Sequence, residues 1–163
     1  MRDSDIILMG VCGTGKTSVG LALADALGRP FVEGDDFHPG TNRAKMAGGT
    51  PLTNADRKGW IEALCAGVNE GSSAVVACSA LNPEVRSWLA GGLSRSVTYV
   101  HLTAPRAVIL QRMASREQHF MRPKMLDSQL AAMDPPDDAL TVSVDQPLNA
   151  VVADVLQALD EQA

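Results

Sequence analysis

The sequence predicts an α/β fold in which helices cover both faces of a parallel sheet, and three observations carry that prediction. Short apolar runs alternate with helical patterns from end to end, the signature of βαβ units. The run Ala74 to Cys78 is continuously apolar, as a strand buried on both faces must be. The chain has 163 residues, 45% of them hydrophobic and 20% charged, which suits one soluble globular domain without disulfide or metal staples. No repeat, low-complexity tract or linker divides it, so residues 1–163 are read as a single domain.

Ile6 to Met9 reads as the first strand, and a glycine-rich turn then leads into a helix from Lys16 to Leu27. Val19, Leu21, Leu23, Ala26 and Leu27 give that helix a wide apolar face, and Gly28 with Pro30 ends it. Phe31 to Glu33 is a second, short strand. The polar stretch 34–54 is the expected excursion from the core. Thr53-Asn54 then caps a helix whose stripe is Trp60, Ile61, Leu64, Cys65 and Val68. Ala74 to Cys78 is the third strand, and Asn82-Pro83 opens a helix holding Val85, Trp88 and Leu89. Thr98 to Leu102 is the fourth strand, with a helix opening at Thr103-Ala104-Pro105. Leu140 to Val144 is the fifth, and Val151, Val152, Val155, Leu156 and Leu159 mark the last helix.

Charge and cysteine content exclude several function classes. Fourteen Lys and Arg against nineteen Asp and Glu give a net charge of −5, unsuited to coating nucleic acid or an anionic membrane. Five basic residues nevertheless cluster at Arg106, Arg112, Arg116, Arg122 and Lys124, and none follows Lys124; a local anion site is one reading of that island. Three cysteines (Cys12, Cys65, Cys78) without a CxxC pair fit a reducing compartment rather than a disulfide framework. The apolar run at Ile6–Met9 is too short for a signal peptide, and no stretch is long enough to span a bilayer. A cytoplasmic location is expected.

Gly10-Val11-Cys12-Gly13-Thr14-Gly15-Lys16-Thr17 fits G-x-x-x-x-G-K-[ST] between a strand and a helix, where the chemistry requires it. Its backbone N–H groups and the helix N-terminus suit nucleotide phosphates. Lys16 can reach the β- and γ-phosphates and Thr17 can ligate magnesium (Mg2+). No N-K-x-D segment reads guanine, and the third and fourth strands are followed by Ser79 and Thr103 rather than an acid, which weakens the GTPase-switch and large-ATPase readings. An acid does follow the second strand in Glu33-Gly34-Asp35-Asp36, where a carboxylate can take a proton from an attacking hydroxyl or hold a metal's waters. Arg112 and Arg116, four apart on one helix, share a face from which they can cover a nucleotide. The acid-poor run beyond them, 116–126 and including His119, reads as a lid.

These segments together resemble the thermoresistant-type gluconokinases. The resemblance runs through Gly10–Thr17, Glu33-Gly34-Asp35-Asp36-Phe37-His38-Pro39, Asn42-Arg43-Ala44-Lys45-Met46 and Gly49 to Trp60. It continues through Cys78-Ser79-Ala80-Leu81, His119-Phe120-Met121, Leu126-Asp127-Ser128-Gln129 and Val144-Asp145-Gln146-Pro147-Leu148. It implies a five-stranded parallel sheet ordered 2-3-1-4-5 and ATP-dependent phosphorylation of the D-gluconate 6-hydroxyl. Carried over by position, the resemblance implies Asp35 as the substrate-facing acid, His38, Lys45 and Arg57 as substrate-pocket candidates, and Arg112 and Arg116 as the adenine- and phosphate-side arginines. Glu33, Gln118 and Cys12 stand where the family often has Asp, Gly and Ser. The rival readings are another small-molecule kinase, such as a shikimate-like one, and a nucleotide-dependent binding module. The expected partner is a small molecule, with monomer and homodimer both open.

Overall fold

The computed structural model describes residues 4–11, 13–80, 82–114 and 123–162. Its strands are Asp5–Met9 (β1), Phe31–Glu33 (β2), Val75–Ala77 (β3), Val97–Thr103 (β4) and Leu140–Ser143 (β5). They form one parallel sheet ordered β2-β3-β1-β4-β5, the order that the resemblance implies. β1 lies between β3 and β4, pairing Ile7 with Val76 on one side and with Tyr99 on the other. All five of its residues are buried, which is why its sequence does not alternate.

Helices close both faces. Ile7, Met9 and Val76 meet Trp60, Ile61 and Leu64 of α3 (Asn54–Asn69) and Val85 and Leu89 of α4 (Pro83–Gly92). Ile6, Leu8, Val75, Val100 and Leu102 meet Val19 and Leu23 of α1 (Lys16–Leu27) and Val151 and Val155 of α7 (Leu148–Gln162). A third cluster, Val11, Ile109, Met113 and Leu126, seats α5 (Arg106–Ala114) and α6 (Pro123–Ala132) against the turn after β1. At the opposite end of the sheet Asp5, fully buried, accepts from the Ala74 amide at 2.9 Å and from Arg95 Nε at 3.2 Å. That carboxylate ties the starts of β1, β3 and β4 together.

Two segments carry more structure than sequence periodicity indicates. Within 34–54 lie a 3₁₀ turn, Gly34–Phe37, and the helix α2, Gly40–Ala47. Residues 116–122 of the expected lid lie outside the described residues, and 123–126 are the first turn of α6, with Leu126 fully buried. Arg106 binds Asp127 through Nε at 2.6 Å and Nη2 at 3.0 Å, fastening α5 to α6. Arg106 therefore leaves the basic island as a structural ion pair. Cys65 and Cys78 are buried thiols whose pKa values burial pushes up to about 11 and about 12. No helix among the described residues is long and apolar enough to cross a membrane.

Candidate active site

The turn after β1 sits at the carboxyl end of the sheet, where crossovers leave on both sides and α/β ligands collect. Gly15 precedes α1 with φ 84° and ψ 30°, a left-handed conformation natural to glycine, and no side chain caps the helix start. The amides and dipole of that end therefore face the loop's mouth. Lys16 Nζ donates to the carbonyl oxygens of Gly10 at 3.0 Å and Val11 at 3.1 Å, which holds the ammonium across the loop. Thr14 is buried and donates to Val11 O at 2.9 Å, so it braces the loop from within. Thr17 donates its hydroxyl to Glu33 Oε2. Cys12 lies outside the described residues.

β2 delivers the acids to the same edge. Gly34 runs so close to β3 that a Cβ there would stand 2.4 Å from Ala77 O, so the residue between the two acids must be glycine. The turn is fixed on one side by Glu33 Oε1, which accepts from the Asp35 amide at 3.4 Å. On the other side Trp60 Nε1 donates to Gly34 O at 2.7 Å. Arg43 caps the turn from α2, with Nη2 at 3.2 Å from both Asp35 O and Asp36 O. Asp35 itself is 76% exposed. The His38 side chain beside it is the largest influence lowering its pKa; burial opposes this, and the charges of Lys16 and Arg43 lower it further. Asp35 is thus an open carboxylate that its cationic neighbours, Lys16 among them, hold toward the ionised form.

The other pocket candidates separate once their partners are known. His38 does not face the open cleft: its side chain is 3% exposed and its ring stacks on Trp60, with centroids 4.1 Å apart and planes at 18°. Lys45 is committed to Asp56, with Nζ at 3.0 and 2.8 Å from the two carboxylate oxygens. Asp56 also forms a capping box with Thr53 at the start of α3. Arg57, half-buried, donates Nη1 to the neutral Asn54 Oδ1 at 3.1 Å. Burial lowers its pKa and the charge of Asp56 partly offsets this. Lys45 is thus paired with a carboxylate, whereas Arg57 bonds a neutral amide oxygen. Arg112 donates through Nη2 to Val144 O, joining α5 to the exit of β5 beside the loop, while Arg116 lies outside the described residues.

Lys45 and the Thr53 cap of α3 give a pH dependence. Bonds from Lys45 and the Thr53 amide hold the Asp56 carboxyl down at about 2, against an ordinary 3.8. A depressed folded pKa contributes stability above the unfolded value and loses it as pH falls through the folded one. Wild type should therefore exceed Asp56→Asn in denaturation midpoint at neutral pH, and the gap should close between pH 3.8 and about 2. A gap that persists below pH 2 would show that the charge is not its source.

Sequence reasoning missed Asn42 and the polar use of Trp60. Asn42 is buried in a helix with no apolar stripe, and Trp60 reads as plain core because its neighbours do. No periodicity marks either residue.

The sheet order and the loop at its switch point make this chain a P-loop kinase of the small-molecule type. The family model described as Shikimate kinase matches residues 12–137. The chain is 43% identical to the gluconokinase of Gluconobacter oxydans over 138 residues, 82% of this chain and 76% of that one. It is 35% identical to the thermoresistant gluconokinase of Escherichia coli over 161 residues, 94% and 91% of the two chains. The crystal structure of a gluconokinase from Sinorhizobium meliloti superposes with a TM-score of 0.90 at 38% identity, covering 99% of this chain and 94% of that one. The chain belongs to the gluconokinase family.

Proposed function

We propose that the protein transfers the γ-phosphoryl of ATP to the 6-hydroxyl of D-gluconate, giving 6-phospho-D-gluconate and ADP. The observation that carries the reading is the pairing, at one sheet edge, of the Lys16 loop with the ionised Asp35 carboxylate, in a chain of this family. Phosphoryl transfer asks the protein mainly for position and positive charge. Lys16 and the α1 N-terminus hold the phosphates. Arg112 belongs to the nucleotide side, and Arg116 is assigned there by sequence position. Asp35 orients the attacking hydroxyl and takes its proton as the new P–O bond forms and the bond to ADP breaks. A carboxylate with a lowered pKa is a weak base, so the proton moves late, once the attacked phosphorus has acidified the hydroxyl. Asp35 thus contributes alignment more than basicity.

Magnesium fits the donor set. It keeps several waters and takes one or two protein oxygens beside substrate phosphates, so it needs no dedicated cage. Thr17 would hold it, because a hydroxyl that gives its proton to Glu33 keeps its lone pairs for a cation. When bound, the ion neutralises charge developing between the β- and γ-phosphates. A cytoplasmic location suits a reaction that consumes ATP.

Arg57 is the residue assigned to the gluconate carboxylate, and Lys45 shapes the pocket through Asp56. A neutral polyol would leave Arg57 without that partner. Losing one charge-assisted hydrogen bond costs about 1.5–3 kcal/mol, or about ten- to a hundredfold in kcat/KM. ADP release should show that preference for gluconate over glucose and sorbitol, and shikimate in the same panel tests the rival kinase reading. Arg57→Met should erase most of it by damaging gluconate turnover selectively. Equal turnover of glucose and gluconate by wild type would refute the reading.

A further inference from the structure

Asp35 is exposed, yet one of its carboxylate oxygens faces a buried polar chain that reaches back to the α3 backbone. Asn42 is 1% exposed, and its Nδ2 lies 2.9 Å from Asp56 O. A carbonyl oxygen only accepts, so the nitrogen end of the amide must point there. The same Nδ2 lies 3.2 Å from His38 Nδ1. An amide nitrogen has hydrogens to give and no lone pair to offer, so Nδ1 is the acceptor. A neutral imidazole that accepts at Nδ1 carries its proton on Nε2. Nε2 stands 3.6 Å from Asp35 Oδ1. That is longer than a formed hydrogen bond, and it is the kind of separation that tightens when substrate seats.

The ring has little freedom to answer differently. Trp60 stacks on its face, and Trp60 is itself anchored to Gly34 O. With its side chain 3% exposed, His38 cannot act on the acceptor except through Asp35. We propose that His38 is a positioning residue for phosphoryl transfer, fixed by Asn42 as the Nε2–H tautomer so that its proton aims the Asp35 carboxylate. The inference rests on Asp35 being the acceptor-side carboxylate, and it assigns Asn42 a part in the reaction although that residue touches no substrate.

The first test needs no turnover. Nitrogen-15 shifts of the His38 ring in the substrate-free wild-type protein at neutral pH should show a protonated Nε2 and an unprotonated Nδ1. A protonated Nδ1 would overturn the proposal. The second test is a pair of variants. His38→Gln places an amide nitrogen near the position of Nε2, whereas His38→Asn places one near Nδ1. His38→Gln should keep kcat within about threefold of wild type and His38→Asn should lose about tenfold or more, with KM for ATP within about twofold in both. Equal loss in the two, or the reverse order, would overturn the positioning role. Asn42→Leu should spread the ring shifts between tautomers and lower kcat. A single Nε2–H tautomer with unchanged kcat would remove Asn42 from the chain. Gluconate-dependent ADP release by wild type is read separately, so failure of the tautomer arrangement and failure of the kinase reading give different results.

Discussion

Lys16→Ala is expected to lower kcat with gluconate by about a hundred- to a thousandfold while leaving the fold intact. The size follows from what the ammonium does: it is a fixed charge aimed where negative charge builds during transfer, and deleting one such donor costs about that much. The fold should survive because the residue is only half-buried and its ammonium donates to two carbonyls of its own loop. Those carbonyls can turn to water. Steady-state ADP release beside a thermal unfolding curve checks both halves. Near wild-type turnover from a folded variant would remove the loop from catalysis.

Asp35→Asn should cost about a hundred- to ten-thousandfold in kcat, the range of a positioned acid or base. The amide keeps the shape of the carboxylate but can neither take the proton nor hold the same charge against Lys16. The pH profile supplies an independent check on the same group. Because neighbours lower the Asp35 pKa below its ordinary 3.8, the form that accepts the proton is present at every pH above that value. Activity lost through Asp35 should appear only as pH falls below 3.8. A wild-type acid limb near pH 6 that disappears in Asp35→Asn would contradict the environment described for this carboxylate.

The strands were legible because β1 and β3 are paired on both edges and covered on both faces, which leaves only apolar residues acceptable there. The loop was legible because phosphate binding fixes residue types at fixed spacing. The acceptor side was not, and the reason is physical. α2 is held by polar ties from Asn42, Arg43 and Lys45 rather than by an apolar stripe, so hydrophobic periodicity has nothing to register. Lys45 lies eleven residues before its partner Asp56, and a basic residue in sequence looks the same whether it awaits an anion or already holds one. His38 shows the converse. Its burial comes from a tryptophan on another helix, a contact that chain position does not reveal.

Asp56 has a consequence for how the molecule opens. One carboxylate closes the first turn of α3 and also holds α2 through Lys45, while its backbone carbonyl holds Asn42. Parting the helices breaks the Lys45 and Asn42 bonds to Asp56, and fraying of α3 at that end moves the residue that holds them. Residues from Asn42 to Asp56 therefore form one cooperative unit of local unfolding rather than a loop that loosens residue by residue. Protected amides in it, such as Thr50 and Thr53, should exchange with solvent at a shared opening free energy. The part of the acceptor side that rests on α2 is then assembled or absent as a whole.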